Sequence, residues 1–152
     1  MPLPPVTRVE AQRLKLRPLA AADLPDLLEV NGDPEVTRFL PYETWQSLAD
    51  AEAWLVRMET MAASGTGQVL VLERRSGAKV IGDLLLFKYD EGSRRIELGY
   101  VLGRVHWGKG LMREAITAAC ACAFDDLGIR RIEAEVNPEN LASCALLLKV
   151  GF

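Results

Sequence analysis

The chain has 152 residues, about half of them apolar and a quarter charged, with a formal net charge of −3. That length suits one domain with one buried core, and the balance excludes a disordered chain. It also offers no general attraction for nucleic acid or an anionic membrane surface.

The N-terminal stretch MPLPPVTRVEAQ lacks the apolar segment of a secretory leader, and no run approaches the length of a membrane span. Leu14 to Arg17 alternates as a short strand, and Ala21 to Val30 reads as a helix stopped by Asn31-Gly32. The irregular GDPEVTRFLPYET follows, with Phe39, Leu40 and Tyr42 close together. Ser47 to Met61 carries Leu48, Ala51, Leu55 and Met58 at helical spacing, with Ser47 or Asp50 as the cap. Gln68 to Arg74 and Val80 to Lys88 are β-rich and joined by the turn Arg75-Ser76-Gly77-Ala78. Arg94 to Leu102 follows Asp90-Glu91-Gly92 as a third antiparallel strand. A helix is expected from about Gly110 to Leu127, ended by Gly128. Arg131 to Val136 reads as a strand, and Asn137-Pro138 as the cap and first residue of a last helix. The order β, α, α, β, β, β, α, β, α predicts a mixed α/β or α+β sheet with helices against it. No repeat or linker divides the chain, so residues 1–152 read as a single domain.

Cys120, Cys122 and Cys144 are odd in number and lie in apolar surroundings, which suits reduced thiols of a cytosolic protein. With His106 the sole histidine, the ligands of a zinc site are missing and no metal is expected.

The stretch 103-GRVHWGKGLMREA-115 begins like a phosphate-binding P-loop, G-x-x-x-x-G-K-[ST]. The position that needs a hydroxyl for Mg²⁺ holds Gly110, and the preceding strands read as antiparallel hairpins, not βαβ units. What survives is a strand entering a glycine-rich turn and a helix start. The exposed N–H groups and the helix dipole there form an anion site that needs no metal. Gly108 and Gly110 let backbone approach a ligand, or else simply shape a tight turn. Lys109 offers a point charge to a phosphate, or is a solvated side chain.

The loop has company. LRPLAAADL, DPEVTRFLP, IELGYVLGRVHWGKGLMREAI and NPENLASCALLLKVGF together resemble the GNAT superfamily of acyl-CoA-dependent N-acetyltransferases, in its Rim-type branch. They follow the family's order over nearly the whole chain. The resemblance implies a GNAT-like acyl-CoA N-acyltransferase fold, with a central, mostly antiparallel sheet flanked by helices. Family members continue past the final Gly-Phe into two more strands, and this sequence, ending at Phe152, is expected to lack them.

In that family the pattern [QR]-x-x-G-x-[GA] holds the pyrophosphate of coenzyme A. Here Trp107 stands at the first position, a swap familiar in the Rim-type branch, and Gly110 at the glycine. Met112 stands where Gly or Ala is usual, which bears on how closely the last amide approaches. The resemblance implies cofactor contacts at Tyr100, Val101, Leu102, Trp107, Gly108, Lys109, Gly110, Leu111, Met112, Asn137 and Asn140. The Tyr100-Val101-Leu102 segment would be the splayed strand that pairs with the pantetheine arm.

The last-helix motif N-x-x-S assigns Asn140 to a pantetheine amide and Ser143 to the departing sulfur as proton donor. The two are three apart and share a helix face. Their alternative uses are capping for Asn140 and a bond back to the preceding turn for Ser143.

The implied reaction is direct attack of a primary amine on the thioester of acetyl-CoA, the co-substrate. A protein α-amine has a pKa of about 7.7–8.0, against about 10.4 for lysine, so a weak base suffices. Glu97, on the sheet face opposite Ile96 and Leu98, is the candidate base; equally, it pairs with Arg94 or Arg95 as a solvated carboxylate. A strand N–H from the Tyr100 to Val101 region would meet the oxyanion. Cys144 has no neighbouring histidine and is not expected to be acylated. Asp83 reads as a solvent-facing strand residue, and Glu114 as a first-turn acid that favours the helix dipole. Phe39, Leu40, Tyr42 and Trp45 are either acceptor-site lining or core plugs.

The expected function is N-acetylation, in the cytoplasm, of a protein N-terminus or small amine. Antibiotic or polyamine acetylation and a non-catalytic acyl-CoA-binding regulatory module are the alternatives. Neither nucleic acid nor membrane is an expected partner, and a homodimer is compatible.

Overall fold

The computed structural model describes residues 2–152; Met1, at the head of the N-terminal stretch discussed above, lies outside them. Six strands form one sheet in sequence order: β1 (Val9–Glu10), β2 (Leu14–Pro18), β3 (Gln68–Arg74), β4 (Val80–Asp90), β5 (Arg95–Leu102) and β6 (Arg131–Glu133). Neighbours pair antiparallel through β5, and β6 then joins β5 in parallel. The helices are α1 (Leu24–Asn31), α2 (Pro34–Thr37), α3 (Leu48–Ser64), α4 (Leu111–Asp125) and α5 (Leu141–Val150). The architecture is the mixed, mostly antiparallel sheet with flanking helices that the residue pattern predicts.

Because side chains alternate along a strand, each face gathers its own core. On one face Leu16, Leu72, Leu84, Leu86, Ile96 and Leu98 pack with Leu111, Met112, Ala115, Ile116 and Ala119 of α4. On the other, Val69 and Val71 meet Leu24 and Leu27 of α1, Trp54 of α3 and Trp45 before it. The Trp45 and Trp54 rings lie 5.4 Å apart and tilted, worth about 1 kcal/mol beyond their burial.

Local chemistry sets the ends of the elements. Pro34 opens α2 while Asp33 accepts the Glu35 N–H at 3.0 Å. Before α3 the Ser47 side chain makes no capping bond; Asp50 instead accepts the Gln46 N–H at 2.7 Å.

Three expectations are corrected. The last helix starts at Leu141 with Asn140 as its cap, not at Asn137-Pro138. Asn137 Oδ1 takes the Glu139 N–H and its carbonyl takes the Asn140 N–H, both at 2.9 Å, so this stretch closes a turn of its own. The strand expected to reach Val136 ends at Glu133, because β6 pairs with β5 only up to Glu97. Asp83 does not face solvent: it is 5% exposed, between Val71 and Val101 in register. The short β1 and α2 were not foreseen.

Candidate active site

The β5 ladder decides which backbone groups point where. Gly103 N–H bonds to Ile81 O at 2.8 Å, so that pair exchanges hydrogen bonds with β4. Antiparallel pairing alternates, so Val101 and Gly99 also turn their backbone groups toward β4. Tyr100 and Leu102 turn theirs to the opposite edge. There β6 has already ended, and no strand covers that edge among the described residues. The Leu102 carbonyl confirms the direction, since it accepts the Trp107 indole N–H at 2.8 Å.

That indole bond folds the loop back on the strand it leaves. Gly108 (φ 74°) and Gly110 (φ 75°, the residue before α4) follow, both in the left-handed region that side chains resist. Trp107, Gly108, Lys109 and Gly110 are exposed, and the first N–H groups of α4 begin here. Leu111 and Met112 turn inward instead, at 1% and 6% exposure. The long Met112 side chain therefore sits in the core and leaves the mouth of the loop open.

Sequence reasoning missed Arg13. Its Nη1 donates to Lys109 O at 2.9 Å, and its Nε and backbone N–H both donate to the Glu114 carboxylate, at 2.9 and 2.7 Å. Glu114 thus holds the loop's tether in addition to sitting in the first turn of α4. No local signal marks Arg13, whose partners lie about a hundred residues away.

Helix α5 packs against α4, on the sheet face that α4 covers. Asn140 Oδ1 accepts the Ser143 N–H at 3.2 Å, so the capping use is real, and it leaves the amide Nδ2 as a donor. Among the described residues no hydrogen bond ties the Ser143 hydroxyl back to the preceding turn. Asn137 lies outside the helix and is exposed.

Tyr100 points its ring to the α4 face of the sheet, where it packs on the core edge. Its hydroxyl is buried with no hydrogen-bond partner among the described residues. Burial raises its pKa, Ser143 lowers it in part, and Cys144 adds a further upward push.

Glu97 occupies the other face, on the last β5 residue paired with β6, in register with Glu133. Its ion-pair partner is Lys88 at 3.6 Å, not Arg94 or Arg95. Lys88 is in the left-handed region (φ 52°) at an irregularity in the β4–β5 ladder, and its exposed ammonium contributes under about 1 kcal/mol. Glu97 is itself nearly buried, at 9%. Glu97 and Tyr100 therefore lie on opposite faces of β5, Glu97 where the pairing with β6 ends and Tyr100 just beyond it.

A cleft of about 800 Å³ opens over α2 and the segment after it, lined in part by Leu40, Tyr42 and Trp45, with Arg38, Arg57, Glu43 and Asp50 as its charges. The Tyr42 hydroxyl donates to the buried Asn31 Oδ1 at 2.6 Å. The three cysteines are free, and burial pushes the Cys120 thiol up to about 11. No helix among the described residues is long and apolar enough to cross a membrane, and no cluster of three or more metal-ligating side chains occurs among them.

A sheet that ends in a short parallel pair, with a glycine turn and a helix start beside the edge that β6 leaves open, defines an acyltransferase fold. Residues 13–152 match the Acetyltransferase (GNAT) domain family, and the chain belongs to it. It is similar to an uncharacterized N-acetyltransferase, p20, of Bacillus licheniformis. The two are 32% identical over 141 residues, which cover 93% of this chain and 79% of that protein. Among solved structures, Mycobacterium smegmatis RimJ in complex with CoA-disulfide superposes with a TM-score of 0.84 at 22% identity, covering 95% of this chain and 75% of that one. Vibrio cholerae spermidine N-acetyltransferase, in complex with CoA and spermine, gives 0.79 at 23% identity, covering 91% and 80%. The last two likenesses are of fold. Family and relatives together make the chain an N-acetyltransferase.

Proposed function

We propose that the chain is a Rim-type enzyme that moves the acetyl group of acetyl-CoA to a primary amine by direct attack, with a protein N-terminal α-amine as the acceptor we favour. The observation that carries this reading is the open β5 edge at Tyr100 and Leu102, running straight into Gly108–Gly110 at the start of α4. The Tyr100 carbonyl and the Leu102 N–H would pair with the amides of the pantetheine arm. The loop and helix N–H groups would receive the pyrophosphate, with Lys109 beside them, and Asn140 Nδ2 would donate to a pantetheine amide. Solved structures of the same fold hold CoA or a CoA disulfide.

Bound acetyl-CoA supplies the thioester carbon that the amine attacks and the thiol that leaves. Glu97 takes the amine's proton, directly or through a water, from one face of the sheet. Ser143 donates toward sulfur from the other; a thiol near the pKa of free cysteine, about 8.5, needs only that assistance. The Tyr100 N–H, on the open edge, meets the negative charge on the acyl oxygen. Val101 N–H is committed to β4 and is not available for that task.

The cleft beside Tyr42 sets two arginines against two carboxylates, so it gives no support to a polycationic acceptor such as a polyamine. The three free cysteines fit a reducing, cytoplasmic setting.

The test is CoA thiol release with N-terminal peptides, polyamines and aminoglycosides, for the wild type, Glu97→Gln and Ser143→Ala. Losses of about 10²-fold or more are expected for Glu97→Gln. Full turnover in both variants would sink the catalytic assignment. A rise in melting temperature with acetyl-CoA, but no thiol release across the panel, would favour the binding module instead.

A further inference from the structure

A buried hydroxyl without a partner destabilises the fold, so one held beside a reaction centre calls for a role. Tyr100 Oη is such a group, and the polar side chains acting on it are Ser143 and Cys144 of α5. Its strand neighbours Ile96 and Leu98 are core residues on the same face, where a phenylalanine would pack equally well. The hydroxyl is the part that packing does not explain.

Ser143 has a problem of its own. Its backbone N–H is fixed by Asn140 Oδ1 at 3.2 Å, yet among the described residues its hydroxyl has no bond that sets the direction of its proton. A serine hydroxyl whose oxygen accepts a hydrogen bond turns its own proton elsewhere and becomes a better donor. We infer that the Tyr100 hydroxyl is a positioning group for Ser143: it donates to Ser143 Oγ and so aims the serine proton at the leaving sulfur. The inference rests on the role given to Ser143 above. Tyr100 remains a neutral phenol throughout and gives up no proton; burial, by raising its pKa, keeps it so over the working range. The Tyr100 hydroxyl has no partner among the described residues and is free to make this bond when a thioester is bound.

One residue thereby serves the site twice. The Tyr100 backbone lies on the open edge where the acyl oxygen is met, while its side chain reaches the group that handles sulfur. Since α5 and β5 are separate elements, this contact also fixes the helix start against the strand at the reacting atoms.

Single-turnover rates of acetyl transfer in the wild type, Tyr100→Phe, Ser143→Ala and the double variant test it, with KM for acetyl-CoA measured alongside. Tyr100→Phe is expected to slow the chemical step about tenfold, the loss of one neutral hydrogen bond, with KM within about twofold. The double variant is expected to be no slower than Ser143→Ala alone, because the phenol acts through the serine. Thermal unfolding of Tyr100→Phe should be unchanged or shifted upward, since the hydroxyl removed had no partner. An unaltered rate in Tyr100→Phe, or a further tenfold loss on adding it to Ser143→Ala, overturns the inference while leaving the role of Ser143 intact. A Ser143→Ala variant at full rate overturns both.

Discussion

Asp83 carries the sharpest physical prediction. Its carboxyl sits on β4 between Val71 and Val101, 5% exposed, and Oδ2 has no hydrogen-bond partner among the described residues. Burial alone pushes its pKa from 3.8 to about 7. A carboxyl displaced upward binds its proton more tightly in the native than in the unfolded chain. Between pH 4 and 7 the folded state is therefore the more protonated one, and stability falls as pH rises. Below about 4 the group costs nothing; above about 7 its penalty is complete and constant. At about 1.4 kcal/mol per pH unit, the full penalty is about 4 kcal/mol, a large part of the stability of an ordinary domain.

Asp83→Asn removes this titration while keeping the shape. At pH 4.5 the variant should match the wild type or fall slightly below it, since the new amide brings N–H groups that the site does not satisfy. At pH 8 it should be the more stable by several kcal/mol. Urea unfolding at half-unit steps from pH 4.5 to 8, followed by tryptophan fluorescence from Trp45 and Trp54, gives both curves. Every other titrating group cancels in their difference, which should climb through pH 5–7 and level off. A flat difference would mean that the carboxyl is hydrated or partnered in solution, and one that falls with pH would reverse the argument. The consequence reaches the cleft, because Asp83's charge, after burial, helps hold the Tyr42 phenol above its ordinary value.

Two further substitutions test the frame around the site. Gly110→Ala leaves ordinary room for the added carbon, 3.5 Å from Arg13 Nη2, so its cost is the left-handed backbone, about 1–2 kcal/mol in urea unfolding. Relief of that strain by a flipped loop should also blunt the melting-temperature rise with acetyl-CoA, and an unchanged response would show that the loop conformation is not needed for binding. Asp23→Ala removes a nearly buried carboxylate that takes both Arg17 terminal nitrogens, at 2.9 and 2.7 Å, and the Ala20 N–H at 2.9 Å. Arg17 keeps Glu73 at 3.0 Å, so the loss should be about 2–3 kcal/mol, and a loss under about 0.5 would show that water replaces the pair at no cost.

What the sequence made legible follows from where each signal originates. Strand β3 runs from Gln68 to Arg74, as its β-rich composition predicts, because a run of strand-favouring residues and a turn after it are local facts. Asp83 defeats a local reading. Alternation assigns it to a face, but only tertiary packing of α1 and α2 reveals that this face is covered. At the start of α5 the local signal was doubled, since Asn137 and Asn140 are both able to cap. Glu139 and Asn140 close a turn on Asn137, and the helix starts from the second.

The loop proposed to hold the cofactor shows the limit most clearly. The motif is written in side chains, yet the groups on offer there are backbone N–H groups, and Met112 is a departure in letters that the fold absorbs by turning its side chain into the core. The tether that holds those amides in place is Arg13, ninety-six residues away from the carbonyl it grips. A local pattern identifies which segment bends toward a ligand. What keeps it bent is a contact whose partners no window of sequence contains, and that is why the supporting residue, not the motif, is the informative place to perturb.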